Sequence, residues 1–233
     1  MTAIPRPRWL MPFGWFTLLF LIGSQAAAFM LSQPDRDMGN LQKILYVHVP
    51  SAWVSMIAPA VVFFGAVLYL WKKQLRYDLL AASAAEVGIV FMGLTLLQGS
   101  IWARPTWGVW WTWDPRLTTM AILFLIFAGY LSLRAFTDDE DRRANWSAAV
   151  GILGFLNVPI VYMSVRWWRT IHQVQSTPDT MDATYSLGLR LNAFAFLFLF
   201  IFLVALRHYI MTVEHARAAR LEEAALRGGE VHV

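Results

Sequence analysis

Six apolar runs, each close to the length of a bilayer crossing, leave this chain few folds to choose from. They extend from Phe13 to Leu31, Trp53 to Trp71, Leu79 to Ile101, Leu117 to Leu133, Ser147 to Met163 and Leu187 to Leu206, and about 20 helical residues cover the hydrocarbon of a bilayer. A segment surrounded by lipid must satisfy its own backbone N–H and C=O groups, which a helix does and an open sheet does not. The short alternating segments of a membrane barrel are missing from the sequence. The expected fold is therefore all-α, a single polytopic helical bundle over residues 1–233 with six transmembrane helices. With 58% hydrophobic and 15% charged residues, the composition departs from the soluble average in the same direction.

Charge supplies the expected orientation. Twelve Lys and Arg lie in the N-terminal segment, the 72–78 turn, the 134–146 loop and the 207–233 tail, against seven on the other side. The excess puts both termini in the cytoplasm. The net charge of +4 is thus read as a topology signal, and no nucleic-acid partner is expected. The first run looks like a signal peptide until its end, where Leu-Ser-Gln-Pro-Asp replaces a small-x-small cleavage site, so it is taken as an uncleaved span. Three loops then face outward, roughly 32–52, 102–116 and 164–186.

The middle loop is WARPTWGVWWTWDPR, with Trp102, Trp107, Trp110, Trp111 and Trp113 inside twelve residues. One or two interfacial tryptophans need no function, because an indole is at home at a membrane surface. Five suggest a flat aromatic shelf. Two of the five histidines, His48 in YVHVPSAW and His172 in RWWRTIHQ, fall in the outer loops, at the level of that shelf. Two imidazoles from separate loops could grip one metal from opposite faces, and a macrocyclic iron would make the pair its axial ligands. Haem suits the remaining residues: an apolar ring for the indoles, and two carboxylates for Arg104, Arg116, Arg166 or Arg169. Trp168, four residues before His172, would share its face in a helical turn.

Each of these residues also has a plainer role. Asp114 ahead of Pro115 reads as the N-cap of the fourth span, and Arg116 as an interfacial cation that snorkels. Pro50 and Ser51 look like the start of the second span. Glu86, about two turns into the third run, should be neutral or paired. Pro159 should kink the fifth span, with Asn157 satisfying the freed backbone. The DDEDRR stretch at 138–143 reads as a connector, and the tail as a charged helix with Glu214 and Arg217 three apart.

Cysteine is absent, which excludes disulfides, thiolate metal sites and covalent haem attachment within the chain. No Walker loop, G-x-G-x-x-G, H-E-x-x-H or nucleophile elbow occurs, so no enzymatic activity is expected and any ATPase must be a separate subunit. Two rival readings remain. A permease subunit of an ABC-type haem or small-solute exporter would need polar residues along a path, and only Glu86, Gln98, Asn157 and Asn192 offer themselves. A b-type electron-transfer cytochrome would need histidines within the spans.

WGVWWTWDPRLTT at 107–119 resembles the tryptophan-rich signature (WWD domain) of the haem-handling membrane proteins of cytochrome c biogenesis. Its Arg-Leu-Thr ending is similar to the CcmC branch, whereas the larger branch members continue with Pro-Val-Glu-Asn. YVHVPSAW and SVRWWRTIHQ resemble the flanking histidine motifs of the same branch, so the likeness covers nearly the whole chain; Pro115 is a minor departure. It implies that His48 and His172 are the axial ligands of a transiently and non-covalently held haem b. Trp107, Gly108, Trp110, Trp111, Trp113 and Asp114 would form the haem-presenting loop, with Arg116 and Trp168 beside it. It also implies a bacterial inner-membrane protein that presents haem at the periplasmic face to the chaperone CcmE. Its partners would be the ABC-type subunits CcmA and CcmB, the small protein CcmD, and membrane lipid.

Overall fold

In a computed structural model, residues 4–174, 181 and 183–229 are described. Six long helices carry nearly all of them: α1 (Leu10–Leu31), α2 (Leu45–Lys72), α3 (Leu75–Trp107), α4 (Pro115–Ala135), α5 (Glu140–Trp167) and α6 (Ala183–Gly229). A 3-10 turn, Asn40–Ile44, leads into α2. Among the described residues the sole β feature is an isolated bridge between Asp35 and Gly39. All six helices are long and apolar enough to cross a membrane, as the hydropathy requires.

Several helices run further than their apolar cores. α2 begins at Leu45, eight residues before Trp53 and well before Pro50 and Ser51, so these two are not its start. Proline removes the N–H that would reach the carbonyl four residues back. Here the freed Tyr46 carbonyl accepts from Gln25 Nε2 at 3.4 Å instead, and the helix survives. α3 continues through Trp102 to Trp107, which shrinks the expected 102–116 loop to residues 108–114. α5 likewise reaches Trp167. The outer loop placed at 164–186 therefore starts at 168, and residues 175–180 and 182 of it lie outside the described residues, as does His232 of the tail.

Small residues set the central packing. Ala58 of α2 shares one buried cluster with Ala81, Ala84 and Ala85 of α3, together with Val54, Val62, Phe91 and Met92. In lipid there is little hydrophobic gain in bringing helices together, so close backbone approach and dispersion carry the association. Gly88 is the closest point: a Cβ there would lie 2.6 Å from Ala58 Cβ. Gly88→Ala is expected to destabilise the bundle by about 1–3 kcal/mol, the usual result of overpacking, read as a lower midpoint in thermal unfolding of the detergent-solubilised protein.

Several polar groups inside the bundle are paired across helices. Asn192 of α6 donates to the Ser24 carbonyl of α1 at 3.2 Å and accepts from Ser24 Oγ at 3.2 Å. Asn157 donates to the Thr119 carbonyl of α4 at 2.8 Å, so it clamps two helices and does not repair its own helix below Pro159. Glu86 is indeed paired: Arg207 of α6 donates to it through Nε at 2.5 Å and through a second nitrogen at 3.2 Å. The same guanidinium reaches Glu214 at 3.2 Å, and that, not Arg217, is the partner found for Glu214. Asp78 in the first turn of α3 binds Arg134 in the last turn of α4 through two bonds of 2.6 and 2.8 Å. Asp139 in the acidic connector caps α5, accepting from the Arg142 amide at 2.7 Å.

Candidate haem-binding site

Four chain segments meet at one end of the bundle: the start of α2, the end of α3, the start of α4 and the stretch after α5. Gly108 closes α3 in the left-handed region, with φ +79°, a backbone shape that costs glycine nothing and a side-chain-bearing residue about 1 kcal/mol or more. Its N–H returns to the Arg104 carbonyl at 3.0 Å, and the Arg104 guanidinium holds the Gly108 carbonyl at 2.5 Å. Beyond this cap the chain crosses to Asp114 without regular structure. Trp110 and Trp113 stand exposed there, Trp113 at 80%, and Trp111 meets Trp113 edge to face at 5.8 Å between ring centres.

Asp114 is the hub. It caps α4 as its place before Pro115 suggests, Oδ1 accepting from the Arg116 amide at 2.9 Å. The same oxygen lies 3.0 Å from His172 Nδ1. Its other oxygen accepts from Thr170 Oγ1 at 2.5 Å and from the Ile171 amide at 2.9 Å, while Thr170 Oγ1 also receives the His172 amide at 3.0 Å. Residues 170–172 are thus wrapped around one carboxylate. Burial works against its charge, but the bonds from Thr170, Ile171 and Arg116 and the facing His172 outweigh that and hold Asp114 below the usual carboxylate range. An ionised carboxylate can only accept. Nδ1 of His172 therefore carries the proton, and Nε2 keeps its lone pair for a metal.

Burial drives His172 below its ordinary range; Asp114 pulls it back and Arg116 pushes it down again. A metal-binding histidine must be neutral, and the downward shift of His172 favours its neutral ring. The sign of the linkage follows. Because the folded ring takes up a proton less readily than the unfolded one, whose value is about 6.5, the unfolded chain binds more protons and stability falls as pH drops through that value. The His172→Gln protein is expected to lose less stability than wild type between about pH 7 and 5 by this linkage, measurable by thermal unfolding across pH.

His48 lies in the first turns of α2. Its ring sits on the backbone of α3, where a Cβ added at Gly99 would be 3.2 Å from Cε1, and it meets Trp102 edge to face at 5.7 Å. His172 meets Trp107 in the same manner at 5.0 Å. Both rings therefore abut tryptophans of one helix end, and His172 and Arg116 lie within electrostatic reach of His48. Trp168 does not share a helical face with His172: α5 has ended, and Trp168 is extended at φ −126°, ψ 159°, edge to face with Trp167 at 5.8 Å. No group of three or more His, Asp or Glu side chains suited to a bare metal ion occurs among the described residues. Two imidazoles beside indole rings and an arginine are side chains that would suit a planar, apolar, carboxylate-edged iron compound.

The sequence fits the CcmC family model, described as haem exporter protein C, over residues 5–222. The chain belongs to the CcmC family. It is 37% identical to the haem exporter protein C of Bradyrhizobium diazoefficiens over 201 residues, covering 83% of this chain and 75% of that protein. With the haem exporter protein C of Escherichia coli it shares 31% identity over 226 residues, 92% of this chain and 91% of the relative. In this CcmC family member the Asp114 to His172 bond is the element that reading the sequence missed. The two residues are 58 positions apart, and the capping role explains Asp114 locally without it.

Proposed function

We propose that this chain holds haem b non-covalently and transiently at the outer face of a bacterial inner membrane and delivers it to the chaperone CcmE during cytochrome c maturation. His48 and His172 are the axial ligands in this reading. Trp107, Gly108, Trp110, Trp111 and Trp113 form the shelf, and Arg116 faces the propionates. The observation that carries it is the meeting of the two histidines with the tryptophan cluster at one end of the bundle, with His172 held by Asp114 so that Nε2 is available. Family membership and the names of the relatives support the haem-handling part. The chain's contribution is grip and orientation, without a catalytic group of its own. The shelf faces the periplasm in this reading, and CcmA, CcmB and CcmD are the partners that work with it.

The permease alternative draws less support. Three of the four polar residues available to line a path are occupied in ties between helices: Glu86 with Arg207, Asn157 with Thr119 and Asn192 with Ser24. Gln98 and the Glu86–Arg207 pair border a cavity of about 550 Å³, and its other walls are apolar side chains such as Val90, Leu94 and Leu203. The deciding experiment is haem content and chaperone loading of the His48→Ala/His172→Ala double variant. Loss of both axial ligands is expected to lower retained haem at least about 10–100-fold, the scale of losing even the supporting contacts of a metal site, with a matching fall in covalent haem on CcmE. Unchanged haem in the purified double variant would remove the ligand assignment.

A further inference from the structure

The two histidines are not held alike. His172 Nδ1 faces a carboxylate at 3.0 Å that two further groups from the same loop hold in place. His48 Nδ1 is buried and has no hydrogen-bond partner among the described residues. Gln98 Oε1, one residue along α3 from the Gly99 that carries the His48 ring, is likewise buried without a partner, so these two groups do not satisfy each other. A ring that ligates iron through Nε2 must carry its proton on Nδ1. At His172 that N–H has an ionic acceptor, which adds imidazolate character and strengthens the bond to iron. At His48 the same N–H would meet no acceptor among the described residues, and a buried donor without an acceptor weakens whatever state requires it.

We propose that the two axial positions are built unequal, with His172 as the anchoring ligand and His48 as the ligand surrendered first when haem is handed on. This rests on the reading that both histidines ligate one haem. The balance of the exchange is simple: the iron to His48 Nε2 bond breaks, a donor from the acceptor protein takes that coordination position, and no electron is transferred. His172 and Asp114 keep the macrocycle on the tryptophan shelf meanwhile. Asp114 is a positioning residue here, acting on iron through the His172 ring.

The test uses the full chain in detergent, loaded with haem b, and compares His48→Gly, His172→Gly and Asp114→Asn. The readouts are haem loss to apomyoglobin, the coordination spectrum with and without imidazole, and the reduction potential. Asparagine keeps both the helix cap and an acceptor for Nδ1 while removing the charge. His48→Gly should retain haem in five-coordinate form and return to six-coordinate with imidazole, whereas His172→Gly should lose haem about 10–100-fold faster. Asp114→Asn should raise the reduction potential, because a weaker donor stabilises ferric iron less, and the two histidine changes made in the Asp114→Asn background should differ less in haem loss than they do alone. Equal loss from both glycine variants, or an unmoved potential in Asp114→Asn, overturns the asymmetry while leaving bis-histidine binding intact. Full haem retention by both glycine variants overturns the ligand assignment itself.

Discussion

Asp114→Ala is expected to reduce haem affinity about 10–100-fold, the range found when the group behind a metal-bound imidazole is removed. One carboxylate accepts from the Arg116 amide, Thr170 Oγ1 and the Ile171 amide and faces His172 Nδ1. Removing it frees the loop after α5 from the start of α4 and leaves the His172 ring without a fixed tautomer. The helix cap is lost as well, for about 0.5–2 kcal/mol of stability. Asp114→Ser separates the two effects: serine caps, but its short hydroxyl cannot serve the amide, the threonine and the imidazole together. Haem titration of both variants beside their thermal unfolding gives the comparison. If Asp114→Ser binds haem as wild type does while Asp114→Ala does not, Asp114 matters only as a cap.

The second large effect is expected at the opposite end of the bundle. Asp78 and Arg134 form a two-bond ion pair with side-chain exposures of 5% and 11%, and the guanidinium lies 5.8 Å from the centre of the buried Tyr130 ring. Asp78→Ala leaves Arg134 buried without its partner, which costs about 3–5 kcal/mol. Replacing both, as Asp78→Ala/Arg134→Leu, removes the stranded charge and should recover most of that loss. The measurement is the unfolding midpoint of the two variants in one detergent, with haem binding as a control that the distant shelf is intact. A single variant as stable as wild type would show that Arg134 escapes to water when unpaired.

Hydropathy made the six spans legible because lipid imposes a single rule on every crossing segment. The ends were not legible, because a helix does not stop where the hydrocarbon does. The segments 45–52 and 102–107 carry tryptophan, histidine or proline, which lower the hydropathy without breaking the helix. Pro50 reads as a helix start in sequence, since nothing local reveals that Gln25, a residue of another helix, takes up the freed carbonyl. The candidate site divides the same way. His48, His172 and the tryptophans announce themselves by residue type and clustering. What ties His172 to the loop that carries the tryptophans is a set of long-range bonds: Asp114 to Thr170, Ile171 and His172. Glu86 could be read as needing a partner, but Arg207 lies 121 positions away. Physical necessity tells that a carboxylate within an apolar span is paired, and only the fold tells with what.

α6 is a single helix of 47 residues, roughly 70 Å long at about 1.5 Å per residue, against a hydrocarbon layer of about 30 Å. Its first turns touch the start of α2, where a Cβ on Gly188 would meet Tyr46, so they lie at the end of the bundle that carries His48. From Arg217 to Arg227 every side chain is exposed. The helix is therefore a mast stepped beside the tryptophan shelf and standing clear of the far surface. One unbroken ladder of backbone bonds therefore links the exposed 217–227 segment to the end of the bundle that carries His48.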